Sequence, residues 1–65
     1  MRRMNHDYYI VTFQNGKKVF VHAMNKADAE ILAMARMIKQ GLTREIESTI
    51  KTSNLDLMST ADFVE

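Results

Sequence analysis

Between Tyr8 and Ala23 (YYIVTFQNGKKVFVHA) apolar side chains fall on both sides of any two-residue alternation, interrupted only around Gln14 to Lys18. Two β-branched and aromatic runs around Asn15-Gly16 form a strong hairpin signal, because a type I′ turn needs positive φ at both central residues. A two-residue turn there opposes Phe13 to Lys18, Val11 to Phe20 and Tyr9 to His22 on one face. It opposes Thr12 to Val19, Ile10 to Val21 and Tyr8 to Ala23 on the other, the cleaner core face. Tyr9, Val11, Phe13 and Phe20 are then left needing a cover.

A helix from about Lys26 to Gln40 follows. Asn25 suits the N-cap, Asp28 the acid-favouring first turn and Gly41 the left-handed position just past the end. At about 100° per residue, Ala27, Ile31, Met34, Ala35 and Ile38 fall on one stripe, which the pattern predicts to lie on the sheet. Leu32 and Met37 flank it, and Ala29, Ala33, Arg36 and Gln40 form the far side.

In Thr43 to Thr52 (TREIESTIKT), Leu42, Ile46 and Ile50 recur at helical spacing but also alternate with Thr43, Glu45, Glu47 and Thr49. Gly41 has just ended a helix, and Thr and Ile favour strands, so this is read as a strand. One helix crossing back over the sheet makes it parallel to the second strand and antiparallel to the first. The predicted fold is α+β: a two-layer β-β-α-β domain whose three-stranded antiparallel sheet runs third, first, second, with one helix on one face. A short C-terminal helical turn completes it, with Ser59 as cap and Asp62 in capping-box spacing. Three segments result: a flexible basic N-terminus at 1–6, the domain at 7–53, and an acidic apolar segment at 54–65 carrying Leu55, Leu57, Met58, Phe63 and Val64.

Composition narrows the setting. The chain has 65 residues, and a domain of this size buries only about 60% of its unfolded surface, so its core is marginal. The absence of cysteine removes disulfides and thiolate metal sites and suits a reducing, cytoplasmic setting. The longest apolar run is Ile31 to Ala35, far short of the roughly 20 residues that cross a bilayer. No membrane association is expected. Arg2 and Arg3 precede no apolar segment, so a signal peptide is not indicated. A net charge of +1 argues neither for a strong polyanion binder nor for an acidic mimic of DNA, although Arg2, Arg3, Lys17 and Lys18 sit early and Asp56, Asp62 and Glu65 late.

Little of this is catalytic chemistry. His6 and His22 have no ligand-spaced partners, the serines lack a nucleophile-elbow context, and the glycines serve a turn and a helix end. Glu45 and Glu47 on one strand face would stand about 7 Å apart, but an open edge gives no burial to separate their pKa values. Neither an enzyme, a cofactor nor a metal is expected. Met24 and Met34 read as core filler, while Met37 and Met58 suit an adaptable surface.

The uncovered face carries Tyr9, Val11, Phe13 and Phe20 beside Lys18 and His22. Three readings stand: the acidic tail folds over it, a protein partner covers it, or it stacks single-stranded nucleic acid. From Val19 to Thr52 the chain has an apolar-x-Ala strand end (VFVHA), a polar helix start (MNKADAE) with alanines at Ala27, Ala29, Ala33 and Ala35, then a glycine and a third strand. This layout resembles the small bacteriophage early host-takeover proteins, among them inhibitors of bacterial RNA polymerase. The resemblance implies a non-enzymatic protein that binds a host enzyme and blocks its action. The functional expectation is a small binding protein docking on a bacterial protein through Tyr9, Val11, Phe13, Lys18, Phe20 and His22, or through Leu32, Arg36 and Met37 of the helix. The alternatives are a nucleic-acid-binding module on the aromatic, basic sheet face and a structural homodimer.

Overall fold

The computed structural model describes residues 7–65. The basic arm expected at residues 1–6, with Arg2, Arg3 and His6, lies outside the described residues. The chain forms β1 (Asp7–Phe13), β2 (Lys18–Ala23), α1 (Lys26–Lys39), β3 (Ile46–Thr52), a 3₁₀ turn over Leu55–Thr60 and β4 (Phe63–Val64). The strands make one four-stranded mixed sheet in the order β3-β1-β2-β4. This corrects the expected three-stranded antiparallel sheet. The difference is β4, which joins the edge of β2 in parallel and is too short to show an alternation of its own.

The hairpin corrects a second expectation. Gly16 N donates to Phe13 O and Phe13 N donates to Lys17 O, both at 2.9 Å. Gly16 has φ +85°, and no non-glycine residue among those described has positive φ. Asn15 therefore cannot be the first residue of a type I′ turn. The connection is a type I turn closed by a glycine bulge, giving a three-residue loop, and Asn15 Oδ1 braces it by accepting from Lys17 N at 3.0 Å. The register moves by one, pairing Val11 with Val19, Tyr9 with Val21 and Ile10 with Phe20. A one-residue slip exchanges the faces of a strand. Consequently Tyr9, Val11 and Phe13 join Val19, Val21 and Ala23 in the core under α1, while Tyr8 and Ile10 lie on the opposite face.

The helix begins and ends where its caps require. Asn25 Oδ1 accepts from Asp28 N at 2.8 Å, satisfying one of the unpaired first-turn donors. Beyond the C-terminus, Gly41 at φ +74° lets its N–H reach Ile38 O and that of Leu42 reach Met37 O, each at 2.9 Å. That pair of bonds is a Schellman motif. The face it buries is not the expected one: Ala29, Ala33 and Met37 are fully buried, whereas Ile31 and Ile38 are 59% and 53% exposed. Ala29, Ala33 and Met37 recur at i, i+4 and i+8, a second stripe on the same helix. The sheet beneath already presents Tyr9, Val11, Phe13 and Val21, and small side chains let the helix settle close onto those large ones.

β3 pairs antiparallel with β1, with an irregularity where Phe13 meets Ile46. It also ties to the helix through Thr49 Oγ1, which donates to Glu30 Oε2 at 2.7 Å. From Thr52 the chain must travel from one edge of the sheet to the other to form β4. With α1 on one face, residues 53–62 cross the other. The 3₁₀ turn is capped by Asn54, whose side chain accepts from Asp56 N at 3.0 Å. Ser59, expected as the cap, instead donates from its hydroxyl to Asp56 O within the turn.

The orientation of α1 is open to a simple test. Ala33→Leu is expected to lower stability by about 1–3 kcal/mol through overpacking. Ile31→Gln should change it by no more than about 0.5 kcal/mol in urea denaturation at low protein concentration. The reverse order of effects would turn the helix over.

Candidate docking surface

The residues expected to meet a partner are dispersed by the true register. Tyr9, Val11, Phe13 and Met37 are buried between sheet and helix. Phe20 points to the other face and is only 1% exposed, with Ile10 beside it also buried. Among the described residues, the segment left to cover them is 53–62, which passes from the β3 edge to the β4 edge and has Leu57 and Ala61 half-buried; Tyr8 adds to the cover, its ring centroid 5.4 Å from that of Phe20. Tyr8 in turn stacks on His22 at 4.6 Å with an interplanar angle of 19°. A base-stacking platform built on Tyr9, Phe13 and Phe20 loses its support, because none of those rings reaches solvent.

Lys18 and Arg36 are engaged in holding β4. Asp62 N donates to Lys18 O at 2.9 Å, while Lys18 N donates to Asp62 Oδ2 at 2.8 Å. Glu65 N donates to Phe20 O at 2.8 Å and His22 N to Glu65 O at 3.3 Å. These bonds satisfy the outward backbone groups of β2, which would otherwise form an open edge. From the helix, the Arg36 guanidinium binds the Glu65 carboxylate and sits 5.8 Å from the Phe63 ring centroid. Phe63 packs against the core from this side.

Of the nine residues, His22 and Leu32 are exposed. Both line a shallow groove of about 260 Å³ between the end of β2 and the start of α1, together with Met24, Asp28 and Ile31. Met24 is 54% exposed. Beyond the groove the outer face of α1 continues with Ala35 and Ile38, both exposed. Ala27, Ile31, Ala35 and Ile38 of the larger apolar stripe, together with Leu32, thus form an exposed surface along the helix, whereas Met34 of that stripe is half-buried against the core. Sequence reading found these residues but assigned most of them to the core; the Ala29, Ala33, Met37 spacing was the signal that another stripe was available.

Among the described residues, no three His, Cys, Asp or Glu side chains gather as a metal site would need. None of the described helices is long and apolar enough to cross a membrane. No protein-family model, curated protein or solved structure matches the chain.

The attachment of β4 has a direct readout. In a chain shortened to residue 61, the amides of Lys18 and His22, which point to β4, are expected to lose hydrogen-exchange protection. That of Val21, facing β1, should keep it. Equal loss at all three would mean that β4 is required for the whole sheet.

Proposed function

We propose that the protein is a non-enzymatic binding module that docks on a protein partner through the outer face of α1. The observation that carries this reading is the exposure of Met24, Ile31, Leu32 and Ile38 along one side of the domain. Exposed apolar side chains scattered singly are ordinary, but a contiguous stripe of them marks an interaction surface. It forms the apolar centre that protein interfaces require, and Asp28 and Lys39 beside it supply a polar rim. The resemblance in layout to phage early proteins makes a bacterial protein the first partner class to try.

The test uses the immobilised chain and a bacterial lysate supplemented with an untagged copy of the same chain. Proteins retained by the wild type are expected to be lost from Ile31→Glu/Ile38→Glu. They should still be retained by Leu55→Ser, which alters an exposed residue of the 3₁₀ turn. Circular dichroism of the three proteins should be alike. Equal retention by all of them would remove α1 as the contact surface.

A further inference from the structure

We infer that the occupant of the outer face of α1 is a second copy of the chain, packed antiparallel across a two-fold axis. This rests on the reading of that face as a docking surface. In a two-fold pair of antiparallel helices, each residue meets the one equally far on the other side of the axis. Ile31 and Ile38 are seven residues apart and so lie within about 20° of each other around a helix. They are centred between Met34 and Ala35. Asp28 and Lys39 are eleven residues apart, again within about 20°, and lie on the opposite flank of the stripe. They are centred between Ala33 and Met34, as are Leu32 and Ala35.

All three pairs therefore share one register to within about one residue, or 1.5 Å. Each copy sets its Ile31 against the partner's Ile38. Along the other flank, each sets Asp28 against the partner's Lys39, with Ala35 giving room for the partner's Leu32. Two-fold symmetry repeats every contact. A parallel two-fold pair would instead set the Asp28 and Lys39 flank of each copy against the isoleucine flank of the other, leaving both charges without an opposite partner. The other charges along the helix point elsewhere: Lys26 lies about 160° around the helix from Asp28, Glu30 accepts from Thr49 and Arg36 is bound to Glu65. The face is thus complementary to itself in shape and charge.

A helix of 14 residues spans only about 21 Å, less than a standard interface of about 800 Å² per partner demands. Association is therefore expected at a Kd of about 10–100 µM. Sedimentation equilibrium of the full chain, from about 10 to 500 µM, should show the mass rising from monomer towards dimer. Ile31→Glu/Ile38→Glu should stay monomeric throughout. Asp28→Lys and Lys39→Asp should each be monomeric alone, and an equimolar mixture should recover the dimer, because only there are unlike charges opposed. A wild-type chain that stays monomeric would overturn the second copy as occupant, and the docking reading would then be decided by retention from lysate. A dimer indifferent to the α1 variants, as from pairing of β3 edges, would overturn it too. Failure of the mixture to dimerise would overturn the antiparallel register.

Discussion

Gly16 at φ +85° lets Phe13 to Lys17 close as a three-residue loop, and the pairing of Tyr9 with Val21 follows from that closure. Everything above the sheet depends on this register. It puts two aromatic rings and Val11 of β1 under the helix beside Val19 and Val21 of β2, so the inner face of the sheet is already bulky. A helix laid on such a surface packs closest with its smallest side chains. Ala29 and Ala33 meet the sheet, and the isoleucines are turned outward.

The outcome is a domain with most of its apolar residues disposed in three places, while Ile50, Leu55, Met58 and Val64 are exposed elsewhere. The main core lies between sheet and α1. Phe20 and Ile10 form a smaller cluster on the opposite face, beneath the crossing of residues 53–62 and the Tyr8 ring. Ile31, Leu32 and Ile38 form the third set, left in water. Full burial of a side chain of this kind contributes about 1.5–3 kcal/mol, so leaving three of them out is a substantial loss for a small domain. Turning the helix to bury them would place Ala29 and Ala33 outside and force branched side chains onto Tyr9 and Phe13.

Much of this was legible in the sequence, and the failures have definite physical causes. The helix bounds follow from Asn25 and Gly41, residues whose capping chemistry is local. The hairpin is marked by Asn15-Gly16, but that pair cannot distinguish a two-residue loop from a three-residue loop that begins at Gln14. Ordinarily the alternation of apolar and polar residues would settle the register. Here both faces of β1 are apolar, because both are covered, so alternation carries no information. β4 went unread because Phe63-Val64 has no period, and its pairing rests on backbone bonds to Lys18, Phe20 and His22. Leu32 and His22 were found as surface residues. Met37 was not recognised as core, since its stripe shares a helix with a more hydrophobic one.

The exposed stripe also bears on stability. α1 reaches the sheet through two alanines, Met37 and the half-buried Met34, a thin contact for the one helix over that face among the described residues. Whatever covers its outer side must bind the folded helix, since the stripe exists as a surface only when residues 26–39 are helical. Binding that requires the folded form stabilises it, by about 2.7 kcal/mol when the partner is at 100 times its Kd. Against a total of about 5–15 kcal/mol for an ordinary domain, and less for a chain of this size, that is a large share. The side chains that the sheet cannot accommodate are therefore the ones through which a partner can hold the fold together. On the proposed reading, recognition and folding meet in the same helix.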